Sequence, residues 1–94
     1  MDEEVFRRSA QLIARRNLND RINRVLANFN SKDGMLNVIY CVEGDPSDDD
    51  IEECEITCAE LIAEFPEIRE ARTLCVSVAQ CEHFNVDDVV FSKR

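Results

Sequence analysis

The chain has 94 residues, 45% of them hydrophobic, and a formal net charge of −9. This length predicts a single domain over residues 1–94, and the hydrophobic content is too high for a disordered chain. The acidic composition argues against nucleic-acid and membrane partners, because phosphates and anionic head groups repel it, and no apolar run approaches the ~20 residues of a membrane span.

The N-terminus and the cysteines indicate a cytoplasmic protein. The chain begins MDEEVFRRSA, which opens with acids and lacks the basic-then-apolar layout of a signal peptide. Its five cysteines are an odd number, which argues against a disulfide framework. We therefore expect a cytoplasmic location and reduced thiols.

The first half of the chain is predicted to form a helix and a β-hairpin. Residues 2–17 carry acids at their start and arginines at their end, as the helix dipole favours. The apolar side of this helix is expected to comprise Val5, Phe6, Ala10, Leu12 and Ile13. Residues 22–30 fit either a continued helix or a strand, and the Asp-Gly pair at 33–34 favours a hairpin. The second strand, 35–43, places alternate residues on one face: Leu36, Val38, Tyr40 and Val42.

The second half is predicted to form a helix and two strands. The helix runs from Asp48 to Phe65, capped by Ser47 or Asp48 and ended by Pro66. Its apolar stripe is expected to comprise Ile51, Cys54, Cys58, Leu61, Ile62 and Phe65. A strand over 72–80 follows, whose expected core face is Leu74, Val76 and Val78, and a last strand begins at Val86 or Asp88 and ends at Ser92. The order α-β-β-α-β-β predicts an α+β two-layer domain with helices packed on a mostly antiparallel sheet.

No residue pattern in the chain carries a recognisable chemistry. Cys54 and Cys58 have a spacing that zinc ligands can use, but both fall in the buried stripe of the second helix, where cysteine is a common core residue. The acids from Asp45 to Glu53 lack the glycine of a calcium-binding EF-hand loop. Cys81 and His83 could pair as a nucleophile and its base, although a lone loop histidine is usually plain surface. We expect no enzyme activity, no metal and no cofactor.

Acidic residues are concentrated in and around the second helix. Ten of the 20 acids lie between Asp45 and Glu67. Residues 1–32 hold seven Lys/Arg against four Asp/Glu, a charge of +3, whereas residues 33–94 hold four against sixteen, a charge of −12. Charge of this kind keeps a small protein soluble, and it also attracts basic partners at raised rates. Its concentration on one helix favours a binding surface.

The stretch LNVIYCVEGDPSDDDIEECEITCAELIAEFPEI, residues 36–68, resembles small immunity proteins that are encoded beside toxin genes in bacteria. These include the immunity proteins of contact-dependent growth inhibition systems. The shared pattern begins with a helix and a hairpin whose end has aromatic and aliphatic residues followed by an acid and a glycine, here Ile39–Gly44. An acidic helix that closes on Glu64-Phe65-Pro66 follows, and then terminal strands, the last over Asp88–Arg94.

The resemblance implies a non-catalytic inhibitor that binds and neutralises a cognate toxin, with a basic C-terminal nuclease domain as the expected partner. The expected contacts are acids of the second helix and, if it lies outside the core, an aromatic anchor, Tyr40. The acids are Asp48, Asp49, Glu52, Glu53 and Glu60, with Glu55 and Glu64 as outer members. The alternative function is a small cytosolic regulatory or adaptor module. That module would self-associate as a homodimer through a small-residue face around Cys75 and Ala79.

Overall fold

Helices and strands follow one another in the predicted order. The structure, a computed structural model, describes residues 1–93. Its elements are α1 (Glu3–Arg16), β1 (Ile22–Asn30), β2 (Met35–Val42), α2 (Asp48–Glu64), β3 (Glu70–Ser77) and β4 (Val89–Ser92). Two short 3₁₀ helices, Val78–His83 and Val86–Asp88, connect β3 to β4. The α+β class is therefore confirmed. Arg94, which the resemblance includes in its last strand, lies outside the described residues.

The four strands form one sheet in the order β3-β2-β1-β4. Strand β1 runs antiparallel to both β2 and β4, whereas β3 runs parallel to β2. Helix α2 makes the long connection that a parallel neighbour requires. The prediction of a mostly antiparallel sheet is confirmed, and β3 becomes the edge strand beside α2.

The hairpin interpretation of residues 22–30 is confirmed. The ladder between β1 and β2 extends from the pair Ile22–Val42 to the pair Asn30–Met35. Gly34 ends the turn at φ +71°, and a Cβ atom there would lie 2.8 Å from Cγ of Arg69. Glycine is therefore the residue that this turn accepts, because it adopts positive φ without strain and leaves room for the packed arginine.

Both helices cover one face of the sheet and enclose the main core. Tyr40 lies at its centre and is fully buried. Its hydroxyl donates to the carbonyl oxygen of Asn17 at 3.0 Å and is hydrogen-bonded to the hydroxyl of Thr57. Burial raises the pKa of Tyr40. Because this side chain joins α1, β2 and α2 from the inside, it lies in the core, and the condition under which it was expected to anchor a partner is not met.

The buried stripes of the two helices differ from the predicted ones. In α1, Phe6, Ala10, Ile13 and Ala14 are buried, but Val5 and Leu12 are exposed. In α2, Ile51 and Ile62 are exposed, and the buried residues are Asp50, Cys54, Thr57, Cys58 and Leu61. The stripe of α2 is rotated toward positions 50 and 57 because these polar side chains find hydrogen-bond partners in the interior.

The predicted core face of β3 is also wrong. Cys75 lies opposite Tyr40 in the ladder and packs on the helix-covered side of the sheet. Leu74 is instead exposed, and Val76 packs in a smaller cluster on the opposite face with Leu26, Ile39, Cys41 and Cys81. The strand ends at Ser77, where the chain turns into the first 3₁₀ helix, so Val78 does not belong to it.

A disulfide joins Cys41 to Cys81, whose Cα atoms lie 6.2 Å apart. The prediction that all the thiols are reduced is wrong for this pair, because the first 3₁₀ helix brings together residues that are 40 positions apart. Cys54 and Cys58 are free and buried, as the core interpretation requires. Disulfides persist mainly in oxidising compartments, whereas the predicted cytoplasmic location favours free thiols. The location stays a prediction.

The described part of the chain, residues 1–93, holds neither a metal-binding cluster nor a helix suited to span a membrane. No cluster of three or more His, Cys, Asp or Glu side chains in this part of the chain is arranged to hold a metal ion. Neither of its α-helices has the length and apolar character needed to cross a membrane. The sulfur of Cys81 is bonded to Cys41, so in this state it is not a free nucleophile beside His83.

Candidate functional site

An open, acid-lined cavity of about 550 Å³ lies where the connection between α1 and β1 meets the first half of α2. Its lining comprises Leu18, Asn19, Asp20, Arg21, Ser47, Asp49, Asp50, Glu52 and Glu53. The structure therefore brings together three of the acids predicted as contacts, Asp49, Glu52 and Glu53, and adds two more, Asp20 and Asp50. No signal in the sequence identifies Asp20, because its proximity to α2 arises only when the α1–β1 connection folds against that helix.

The start of α2 is held rigidly at this cavity by Asp50. The hydroxyl of Ser47 accepts from the backbone N–H of Asp50 at 3.2 Å, while the Asp50 carboxylate accepts from the Ser47 N–H at 2.9 Å, forming a capping box. The same carboxylate accepts from Asn19 at 2.9 Å and from Nε of Arg21 at 3.0 Å. The α1–β1 connection and the start of α2 thus meet at one fully buried carboxylate.

The charge of Asp50 is neutralised inside the protein. Burial by itself would raise the pKa of this carboxyl, but hydrogen bonds from Ser47, Asn19 and Arg21 outweigh it and lower the pKa to about 2. Arg21 also donates to the backbone oxygen of Asp45. Asp50 and Arg21 therefore fix the shape of the cavity, and as a pair they add no net charge to it.

The other four acids of the cavity lack such partners. Asp20, Asp49, Glu52 and Glu53 form no ion pair with any residue of the described chain, 1–93. Glu53 is half-buried, and its pKa is raised first by that burial and then by the neighbouring charges of Glu52, Asp49 and Asp50. Carboxylates whose negative charges repel one another in this way are stabilised by an incoming cation. Chemically, the cavity suits a lysine or arginine side chain.

The remaining predicted contacts occupy two other sides of α2. Asp48 and Glu55 are exposed to solvent beyond the cavity. Glu60 accepts from Arg16 at 2.7 Å and from Asn17 at 2.8 Å, and these hydrogen bonds, that from Asn17 foremost, lower its pKa. Glu64 accepts from Ser9 at 2.9 Å. Glu60 and Glu64 therefore fasten α2 to α1, while Asp48 and Glu55 stay accessible.

The small-residue face expected around Cys75 and Ala79 is not formed. Cys75 packs against the main core beneath the helices. Ala79 is exposed in the first 3₁₀ helix, which packs against the other face of the sheet through Cys81. Because the two residues belong to opposite faces, they do not form the shared surface that self-association was expected to use.

Comparison with known protein families finds a match over most of the chain. The model of a family described as MafI2 immunity protein matches residues 7–94, which leaves only the first six residues outside the match. A search of the curated proteins finds no match to the chain.

Proposed function

The chain belongs to the MafI2 immunity protein family, so its role is to neutralise a toxin, and we propose that the acid-lined cavity is where it binds that toxin. The family match confirms the prediction of an immunity protein that the resemblance supplied. The proposal adds a surface, a chemical class of partner and a mode of action.

The observation that carries the proposal is the unpaired charge of the cavity. Asp49, Glu52 and Glu53 project from a helix whose start is fixed by Asp50, so the backbone that carries them is in place before a partner arrives. A backbone that is already ordered loses little conformational entropy on binding. A lysine or arginine of the toxin would enter this cavity and relieve the mutual repulsion of the acids.

We further propose that the toxin is a basic nuclease domain and that inhibition is stoichiometric, without catalysis. A nuclease needs a positive surface to hold the phosphates of its substrate. An inhibitor with a net charge of −9 competes for that surface and is drawn to it by long-range attraction. The association rate should therefore fall as salt rises, because exposed charges are screened.

Co-expression tests the function itself. The experiment uses the C-terminal domain of the protein whose gene lies immediately upstream of the gene for this chain. That domain is expressed in a bacterial host, with and without the chain. We expect growth arrest from the domain alone and full growth with both. Continued arrest in the presence of the folded chain would contradict toxin neutralisation by this pair.

Three neutralising substitutions test the surface. The triple variant Asp49→Asn, Glu52→Gln, Glu53→Gln should raise the Kd for the toxin domain by about 100-fold, on the basis of a little under 1 kcal/mol for each lost charge pair. The matched control removes three exposed acids at other places: Glu3→Gln, Glu67→Gln and Glu82→Gln. It changes the net charge equally and should shift the Kd by less than about threefold. Equal effects of the two variants would refute a localised site.

A further inference from the structure

The free edge of strand β3 offers a second feature that the acid-lined cavity does not explain. Strand β3, Glu70–Ser77, pairs with β2 on one side, and within residues 1–93 no strand pairs with its other side. The N–H of Glu70 donates to the carbonyl oxygen of Gly34, so Glu70 and every second residue after it bond toward β2. The backbone groups of Ala71, Thr73 and Cys75 consequently point outward.

Strand β3 begins with two charged residues, Glu70 and Arg72, but from Thr73 to Ser77 its free edge lacks the devices that usually prevent strand addition. Exposed edge strands are commonly protected by charges, proline, a bulge or a covering segment. The ladder between β2 and β3 is regular over all eight residue pairs, without a bulge. The residues from Thr73 to Ser77 include neither a charged side chain nor a proline. Main-chain hydrogen bonds are therefore open to an extended segment from another chain.

Exposed apolar side chains flank the same edge. Ile51 and Ile62 are 41% and 43% exposed. At 100° per residue they project from the side of α2 roughly opposite Glu60, which faces α1. Because α2 packs over β2 and β3 while α1 packs toward β1 and β4, that side overlooks the free edge of β3. Leu74, 44% exposed, flanks the edge from the other face of the sheet.

We infer that this edge takes an extended segment of the toxin as a fifth strand, and this inference rests on the proposed function. The segment would place apolar side chains against Ile51 and Ile62 and a lysine or arginine near Glu55. Backbone pairing supplies affinity in such an arrangement, and the alternating side chains supply specificity. The cavity and the edge lie on opposite sides of α2, so the toxin would contact this helix on both sides.

The charge of α2 indicates whether the toxin or a second copy of this chain pairs with the free edge of β3. Pairing of two β3 edges would bring the two α2 helices side by side. Each α2 carries eight acidic residues and no lysine or arginine: Asp48, Asp49, Asp50, Glu52, Glu53, Glu55, Glu60 and Glu64. Like charges brought together in this way repel one another, whereas a basic segment is attracted. The occupant is therefore a basic toxin segment.

A proline substitution tests the strand pairing. Thr73→Pro removes an outward N–H and places a ring at the edge, while the residues that bond to β2 keep their donors. The matched control Thr73→Val keeps the N–H and the β-branched shape. With folding verified by circular dichroism, we expect Thr73→Pro to raise the Kd for the toxin domain about tenfold or more and Thr73→Val to change it less than about twofold. Unchanged affinity of folded Thr73→Pro would overturn the inference.

Amide hydrogen exchange gives a second measurement that does not depend on a substitution. In the free protein the amides of Ala71, Thr73 and Cys75 should exchange fast, and in the toxin complex they should slow by about 100-fold or more. A tight complex in which these amides stay fast would overturn the edge site but leave the acid-lined cavity intact. Slowing that rises with protein concentration in the absence of toxin would assign the edge to a second copy. Failure of the wild-type chain to bind the toxin at all would refute the proposed function as well.

Discussion

Asp50 is the residue on which the shape of the acid-lined cavity depends most, and Asp50→Asn isolates its charge. The asparagine keeps the size of the side chain and one acceptor oxygen, but it no longer balances the positive charge of Arg21. The carboxylate is fully buried, but the Arg21 side chain is 43% exposed, so solvent screens their interaction only in part. The substitution therefore measures how much the charged network at the start of α2 contributes to folding.

The pKa gives the expected magnitude. In the folded protein it is lowered from 3.8 to about 2, which corresponds to about 2.5 kcal/mol of stability at pH 7, because one pH unit is worth ~1.36 kcal/mol. The folded-state pKa of Asp50 is the lower one, so the contribution is complete above about pH 5 and is lost as the pH falls toward about 2. About half of it should remain at about pH 3.

Urea unfolding at a series of pH values is the assay. The free energy of unfolding of Asp50→Asn should lie about 2–3 kcal/mol below wild type at pH 7, and the gap should narrow steadily below about pH 4. The neighbouring control Asp49→Asn removes an exposed charge from the same helix turn and should cost less than about 1 kcal/mol. If the two substitutions cost the same at pH 7, or if the gap for Asp50→Asn is independent of pH, the reasoning fails.

Two further predictions concern the interior. Tyr40→Phe removes the hydrogen bonds to Asn17 and Thr57, so it should lower the free energy of unfolding by about 1–2 kcal/mol in urea titrations while leaving the Kd for the toxin domain unchanged; weaker binding by the folded variant would restore Tyr40 as an anchor. Thiol titration in denaturant should count three free cysteines before reductant and five after it. Reducing the Cys41–Cys81 bond should cost about 2–4 kcal/mol, because the bond closes a 40-residue separation, and five thiols at the start would refute the pairing.

Local sequence patterns were sufficient to predict the order of the α-helices and β-strands. The acids at the start of α1 and α2, the Asp-Gly turn and Pro66 act on their own neighbours, so they mark helix ends and the hairpin without tertiary information. The alternation in β2 placed Leu36, Val38 and Tyr40 on the buried face for the same reason. The acidity of α2, which favours a basic partner, could likewise be read directly from the residues.

The faces of the helices and of β3 required the tertiary structure. Ile51, Ile62 and Leu74 are apolar and fit a buried period, yet they lie where α2 and β3 border the free edge of the sheet. No neighbouring element within residues 1–93 covers them. Thr57 and Asp50 are polar and still buried, because partners distant in sequence complete their hydrogen bonds. Periodicity ranks residues by hydrophobicity, whereas burial depends on which neighbour arrives.

For the candidate site as well, some properties follow from the sequence and others only from the tertiary structure. The sequence by itself determined that α2 is a highly acidic helix and that the chain resembles immunity proteins. Only the tertiary structure separated its acids into an internal anchor, Asp50, a pair that holds α1, Glu60 and Glu64, and the unpaired group at the cavity. The physical reason is that the role of a carboxylate depends on which donors surround it, and here those donors, Asn19, Arg21 and Arg16, come from other parts of the chain.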